Sequence, residues 1–233
     1  MAAVRGIGFD LDHTLAIDNR LERVALLRLL ELMLAEGAEA VGTLADEIDA
    51  IDDLLARQRR GEFTIDDAVR RFVSDHGLSP SQRYVERFKT DATAMVTEFV
   101  VPLPGVRSML DAMRDRGVRI AILSNGWNPL QLRKAQRSGF SGPVLVSSDI
   151  GAQKPESRAF ACLLEALGTE ASETWYVGDN PVGDIGGAAR SGIGTVWMNW
   201  ERQTYPADLP APTFTIRDLR ELGSLLPSPV QAR

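Results

Sequence analysis

Two aspartates, Asp10 and Asp12, follow directly after a short apolar run near the start of the chain. Side chains two residues apart point to the same side of extended backbone, so where the chain turns off a strand both carboxylates can address one atom. One carboxylate can then act as a nucleophile and the other as a general acid and base. A carboxylate that attacks phosphorus forms an aspartyl-phosphate, so the pair is compatible with phosphoryl chemistry, although two aspartates after a strand can also simply form a turn.

Further polar residues follow later apolar runs in the same way, namely Ser124, Asn125, Lys154, Asp179 and Asp184. Four carboxylates against one ammonium leave uncompensated negative charge, which a divalent cation would relieve. Ligation by oxygen alone favours a hard ion, and few carboxylates together with a substrate phosphate suit Mg²⁺. We expect Ser124 and Asn125, with the amides near them, to hold phosphoryl oxygens, and Lys154 to offset their charge.

The elements that must position these residues alternate between strand and helix. After the first strand, Val4–Phe9, the predicted strands are Val118–Leu123, Val144–Val146, Trp175–Val177, Thr195–Met198 and Phe214–Ile216. Helical segments separate most of them, among them predicted helices near 157–167 and near 183–191. The alternation predicts an α/β fold with a doubly wound, Rossmann-like parallel sheet, in which sites gather beyond the carboxyl ends of the strands.

Residues 18–100 interrupt this pattern with helical periodicity, seen in Leu27, Leu30, Leu34 and later in Leu54. Glycine and proline punctuate the segment, which predicts about four helices. We therefore expect an inserted α-helical domain over 18–100 and an α/β core formed by 1–17 and 101–233.

The composition of the 233 residues is ordinary for a globular protein, with 44% hydrophobic residues and a net charge of −6. No apolar run approaches the roughly 18 residues that a membrane helix needs, and acids appear before a signal peptide could form. A single cysteine allows no internal disulfide, and a mildly acidic chain does not indicate nucleic-acid binding. We expect a cytoplasmic protein without nucleic-acid or membrane partners; its oligomeric state has no signal in the sequence.

Four segments, taken in order, resemble the motifs of the haloacid dehalogenase-like (HAD) hydrolases, which are chiefly Mg²⁺-dependent phosphatases. They are Asp10–Leu15, Leu123–Gly126, Lys154–Pro155 and Gly178–Asp184. The resemblance implies that Asp10 is the nucleophile, that Asp12 is the general acid and base, and that an α-helical cap is inserted where residues 18–100 lie.

The resemblance also implies a metal site. It places Mg²⁺ on the Asp10 carboxylate, the main-chain carbonyl of Asp12 and Asp179, with Asp184 supporting Lys154 or a metal-bound water. Family members that cleave carbon–halogen bonds typically lack the second aspartate, because a halide needs no proton. The presence of Asp12 thus favours phosphoryl chemistry.

The sequence therefore predicts a Mg²⁺-dependent phosphatase that hydrolyses a small phosphorylated metabolite through an aspartyl-phosphate. Two alternatives stay open. A phosphomutase would return the phosphoryl group to a second hydroxyl, and a catalytically silent relative would bind a phosphorylated ligand as a regulator. The sequence identifies neither the substrate nor a role for His13.

Overall fold

A computed structural model describes residues 4–226 of the chain. The chain divides into two compact units, one formed by residues 1–17 with 101–233 and the other by residues 18–100. The ends of the predicted core, 1–3 and 227–233, lie outside the described residues. Between Val4 and Leu226, no helix has both the length and the apolar character needed to span a membrane.

The described residues form eight β-strands and eleven α-helices. The strands are β1 (Gly6–Phe9), β2 (Ala16–Ile17), β3 (Val101–Pro102), β4 (Arg119–Ser124), β5 (Val144–Val146), β6 (Thr174–Gly178), β7 (Gly194–Met198) and β8 (Phe214–Ile216). The helices are α1 (Leu21–Ala35), α2 (Leu44–Arg59), α3 (Ile65–Asp75), α4 (Gln82–Ala94), α5 (Val96–Phe99), α6 (Val106–Asp115), α7 (Leu130–Arg137), α8 (Ser147–Ile150), α9 (Ser157–Leu167), α10 (Gly187–Arg190) and α11 (Leu222–Leu225).

Six strands form one parallel sheet in the order β5-β4-β1-β6-β7-β8. The first strand lies inside the sheet, with Phe9 opposite Ile122 of β4 and opposite Val177 of β6. Strands buried on both faces are typical of sheets covered by crossover helices, and β1 is buried throughout. The predicted doubly wound parallel α/β sheet is confirmed.

Apolar residues on the two faces of the sheet belong to two separate core clusters. One contains Phe9 and Ile122 with Met109 of α6, and the other contains Leu123 and Phe160, the latter from α9. Because each face has its own cluster, the central strands are held on both sides, which keeps their carboxyl ends in register.

A short antiparallel ribbon joins β2 and β3, with Ala16 opposite Pro102 and Ile17 opposite Val101. The sequence pattern predicted no strand at either place, because two residues are too few to show alternation. The predicted helix over 183–191 also differs: it begins with a π-helical turn, Pro181–Gly186, and continues as α10. The side chain of Asn180 accepts from two amides of this turn, which starts the helix early.

The unit formed by residues 18–100 is helical throughout its regular structure, with helix α1 packed against α2 and α4. Thr43 and Thr64 begin α2 and α3 with capping boxes, which satisfy amides that a helix start leaves unpaired. Inside this unit, His76 Nε2 lies 3.0 Å from Glu47 Oε2.

Candidate active site

Three neighbouring strands bring the predicted site residues to one edge of the sheet. Asp10 follows β1, Ser124 ends β4 and Asp179 follows β6, and these strands are adjacent in the order β4-β1-β6. Ser124 and Asp10 are buried. The parallel direction of the strands is the reason that residues far apart in the chain meet here.

The amine of Lys154 lies between two carboxylates. Lys154 Nζ is 2.5 Å from Asp10 Oδ1 and 2.8 Å from Asp184 Oδ1. All three side chains are nine-tenths or more buried. A buried lysine is stable in its charged form only with such partners, so the sheet edge holds a compact, strongly coupled group of charges.

Burial and mutual repulsion disturb the titration of the acids. Burial raises the pKa of Asp10 to about 7, against the opposing effect of Lys154. Burial also raises the pKa of Asp179 to about 9, and the charges of Asp10 and Asp184 add to the increase. Burial lowers the pKa of Lys154, but the two carboxylates outweigh it, and that pKa is raised well above its usual value. If all of these acids were ionised together, they would carry more negative charge than one lysine compensates, and this repulsion favours their protonated forms.

The same carboxylates could hold a metal ion. Oxygens of Asp10, Asp179 and Asp184 all lie within 4.8 Å of one another. Such hard donors, with uncompensated charge and raised pKa values, fit a hard divalent cation, which would return the acids to their ionised forms.

Asn125 contacts the main chain of Lys154. Its Nδ2 donates to the Lys154 carbonyl at 2.8 Å, and its Oδ1 accepts from the Lys154 amide at 2.8 Å. This reciprocal pair links the end of β4 to the segment that carries Lys154. The structure thus shows Asn125 positioning the lysine, while its predicted contact with a phosphoryl oxygen stays a prediction.

Asp12 is half-buried, and each of its carboxylate oxygens accepts a hydrogen bond from α7. Lys134 Nζ donates to Oδ1 at 2.9 Å and Gln131 Nε2 donates to Oδ2 at 2.9 Å. Both donor residues are buried. The sequence analysis missed these two residues, although a signal was present: they stand three apart on the stripe of α7 that also buries Leu130 and Ala135.

Asp184 reaches the site because residue 178 is a glycine. A Cβ added to Gly178 would lie 2.5 Å from Cβ of Asp184, well inside the van der Waals limit. The amide of Asn180 donates to Asp184 Oδ2 at 3.0 Å. The segment from β6 into the π-helical turn thus seats Asp184 against Lys154.

Two aromatic residues support the site from the sheet, and the sequence analysis missed both. Trp197 Nε1 on β7 donates to the Asp179 carbonyl at 2.8 Å. On β6, the Tyr176 ring lies 5.6 Å from Lys154 Nζ, and its hydroxyl donates to the Leu123 carbonyl at 2.8 Å. In the sequence, both residues lie within apolar runs that predict strands. Their hydrogen bonds to main-chain carbonyls near the site become visible only in the structure.

His13 lies next to Asp12 with a φ of 60° and an exposed side chain. Its Nδ1 is 3.8 Å from Glu201 Oε1, and its ring stacks on Trp200. The left-handed backbone at His13 turns the chain from the acidic pair back toward β2, which begins at Ala16.

In the helical unit, the basic residues Arg57, Arg59 and Arg60 have acidic partners. Arg57 and Arg60 contact Glu62, and Arg59 Nη2 lies 3.5 Å from Glu22. Each of these three arginines thus has an acidic partner within the helical unit.

The sequence model of the haloacid dehalogenase-like hydrolase family matches residues 4–192. Pyrimidine 5'-nucleotidase YjjG of Escherichia coli is 34% identical over 135 residues, which cover 56% of this chain and 59% of the relative. Phosphoserine phosphatase of Thermus thermophilus is 37% identical over 123 residues, 51% of this chain and 49% of the relative. This chain thus spans less than two thirds of the length of either relative.

Glyceraldehyde 3-phosphate phosphatase of Methanopyrus kandleri is 25% identical over 236 positions, which cover 94% of this chain and 95% of that protein. Among solved structures, the putative HAD-hydrolase YfnB of Bacillus subtilis superposes with a TM-score of 0.72 at 24% identity, over 96% of this chain and 99% of that one. The 2-haloacid dehalogenase of Pseudomonas syringae shares the fold with a TM-score of 0.69 at 24% identity, over 95% and 97%. The family model covers most of the chain, and the chain therefore belongs to the haloacid dehalogenase-like hydrolases.

Proposed function

We propose that this protein is a Mg²⁺-dependent phosphatase of a small phosphate monoester and that it works through an aspartyl-phosphate on Asp10. The observation that carries the proposal is the contact of Lys154 Nζ with Asp10 Oδ1 at 2.5 Å, beside two further carboxylates. A carboxylate with a buried ammonium beside it is suited to attack a phosphoryl group whose negative charge the ammonium offsets.

In the first half-reaction, a carboxylate oxygen of Asp10 attacks phosphorus while the bond from phosphorus to the alcohol oxygen breaks. Asp12 gives its proton to that oxygen, so the alcohol leaves neutral. Ser124 and the neighbouring amides would hold the phosphoryl oxygens, and Lys154 would offset their charge.

In the second half-reaction, Asp12 takes a proton from water as the water oxygen attacks phosphorus. The bond from phosphorus to Asp10 breaks, inorganic phosphate leaves, and Asp10 recovers its carboxylate while Asp12 is again protonated. The chain thus returns to its starting state with one water consumed.

The Asp10 and Asp179 carboxylates and the main-chain carbonyl of Asp12 would hold Mg²⁺, with Asp184 supporting Lys154 or a metal-bound water. When bound, the ion supplies positive charge that draws a phosphate ester to the acidic edge and stabilises its transferring oxygens.

The relatives support phosphate esters as substrates, because they include a nucleotidase and two phosphatases. Asp12 weighs against dehalogenation, since a halide leaves without a proton and gives a general acid no role. That residues 18–100 act as a cap, and that the enzyme is cytoplasmic, stay predictions.

The test is release of free phosphate from a panel of phosphorylated metabolites, with Mg²⁺ or EDTA. We expect Mg²⁺-dependent release by the wild type and its loss in Asp10→Asn. Asp115→Asn, which removes an exposed acid of the same unit, is the matched control and should retain activity. Isomerised product without free phosphate would indicate a phosphomutase, and ester binding without turnover would indicate a silent regulator; either outcome would overturn the proposal.

A further inference from the structure

Helix α7 presents two donors to the one carboxylate that the proposed mechanism asks to carry a proton. Asp12 Oδ1 accepts from Lys134 Nζ and Asp12 Oδ2 accepts from Gln131 Nε2, both at 2.9 Å. A carboxylate has about four lone-pair positions, so these two bonds hold the group in one plane and leave positions open for a proton. We call Gln131 and Lys134 the α7 clamp.

The burial of the α7 clamp separates it from an ordinary surface ion pair. The Lys134 side chain is 2% exposed, whereas that of Asp12 is 29% exposed. Removing an ammonium from water is costly, and a buried ion pair is a poor device for stability compared with apolar side chains of similar size. A buried lysine aimed at a carboxylate that still meets solvent is better explained by what it does for that carboxylate.

The glycine of the Ser124-Asn125-Gly126 motif makes room for the clamp. A Cβ added to Gly126 would lie 2.7 Å from Gln131 Cγ and 2.9 Å from its Cδ. Any larger residue would therefore push the Gln131 side chain from its place. The absence of a side chain at Gly126 thus allows Gln131 to lie close to the Ser124-Asn125-Gly126 motif.

We infer that Gln131 and Lys134 are positioning residues that orient the Asp12 carboxyl for proton transfer to the leaving alcohol. The inference rests on the proposed function. Asp12, Gln131 and Lys134 all belong to the α/β unit, so this unit orients its own general acid. The clamp contacts the Asp12 carboxylate, so its effect on the first half-reaction, which kcat/KM reports, must depend on how much that step needs a proton at the leaving oxygen.

The experiment compares two leaving groups. p-Nitrophenyl phosphate expels a stable phenolate that needs no proton, whereas an alkyl phosphate such as glycerol phosphate expels an alkoxide that does. For Lys134→Met and Gln131→Leu we expect kcat/KM to fall about 10-fold or more with the alkyl ester, through kcat rather than KM, since well-placed general acids contribute about 10²–10⁴-fold. With p-nitrophenyl phosphate the fall should be less than about 3-fold, because the proton has little to contribute there.

The ratio of the kcat/KM values for the two esters, measured on one preparation, does not depend on the fraction of the protein that is folded. Partial misfolding therefore cannot produce the expected change in this ratio. If Lys134→Met does not fold, Gln131→Leu and Gly126→Ala decide by the same ratio. Arg133→Met removes an exposed cation from the same helix and should leave the ratio unchanged. Adding Lys134→Met to Asp12→Asn should cause no further loss, because the clamp has no acid left to orient.

If the Gln131 and Lys134 variants lost kcat/KM equally with both esters, their role would be merely structural and the inference would be overturned. A loss in Lys134→Met that adds to the loss caused by Asp12→Asn would overturn it as well. Failure of the proposed function looks different. In that case the wild type would release no phosphate from either ester in the presence of Mg²⁺, whatever residues 131 and 134 are.

Discussion

Lys154 Nζ lies 2.5 Å from Oδ1 of Asp10, and Asn125 holds the main chain of Lys154 through two hydrogen bonds of 2.8 Å. The side chain of Lys154 is therefore held by Asp10, and its main chain is held by Asn125. Its position depends on residues 29 apart in the chain that meet beyond two different strands.

We expect Lys154→Met to lower kcat/KM for phosphate release by about 10²–10³-fold, as for the loss of one preorganised charge-stabilising group. Asn125→Ala should cause a smaller loss, because the lysine remains but its main chain is held less firmly. Arg114→Met, which removes an exposed cation of α6, is the control. Activity of Lys154→Met equal to that of this control would contradict the role given to the lysine.

Metal-free protein should lose stability as the pH rises. Burial, together with the charges of Asp10 and Asp184, raises the pKa of Asp179 from 3.8 to about 9 in the folded state. The folded chain thus binds more protons than the unfolded chain between these values, so the free energy of unfolding falls as pH rises through this window. Mg²⁺ should reverse the loss by binding the ionised acids.

The measurement is the melting temperature in EDTA at about pH 5 and about pH 8.5. Asp179→Asn removes the charge, and at the higher pH it should stabilise the metal-free protein by roughly 1–3 kcal/mol relative to wild type. The control variant Asp115→Asn should not stabilise the metal-free protein at the higher pH. If the wild type in EDTA at the higher pH had a melting temperature equal to or above that of Asp179→Asn, the expectation would be refuted.

The helical unit contains a buried polar pair, His76 and Glu47, whose side chains are 2% and 4% exposed. His76 Nδ1 donates to the Phe72 carbonyl at 2.6 Å, since a carbonyl only accepts, and Nε2 faces the Glu47 carboxylate. Glu47 also accepts from the Val41 amide at 2.7 Å. Glu47→Ala should cost about 3–5 kcal/mol of unfolding free energy, as for breaking a buried pair.

Glu62→Ala is the matched control, because it breaks only exposed pairs, with Arg57 and Arg60, and should lower the free energy of unfolding much less. Denaturant unfolding followed by circular dichroism measures both variants. Similar losses in the two would mean that the buried pair contributes no more than a surface pair.

Gly178→Ala should displace Asp184 from Lys154, because the added Cβ would lie 2.5 Å from the Asp184 Cβ. We expect weaker Mg²⁺ activation and phosphate release reduced by about 10-fold or more, as for misplaced catalytic groups. At Gly223 an added Cβ meets nothing within 4 Å, so Gly223→Ala is the control. Unchanged Mg²⁺ dependence in Gly178→Ala would show that Asp184 tolerates the shift.

The sequence by itself indicated the family, the parallel α/β fold and the residues at the strand ends. Apolar runs as short as β5 and helices such as α9 have the bounds that periodicity predicts. Asp10, Ser124 and Asp179 could be placed together because each directly follows or ends a buried strand, and parallel strands share one carboxyl edge. These features follow from the local sequence pattern and from the rule that parallel strands share one carboxyl edge, and both can be applied to the order of residues alone.

Only the tertiary structure decided what supports these residues. Gln131 and Lys134 reach Asp12 across 119 and 122 residues of sequence, and Trp197 reaches the carbonyl of Asp179 from the next strand. The ribbon of β2 and β3 likewise pairs segments that are separated by the whole helical unit. Periodicity reports which face of an element is buried, but not which partner a buried polar group meets, because that partner is set by packing between elements distant in the chain.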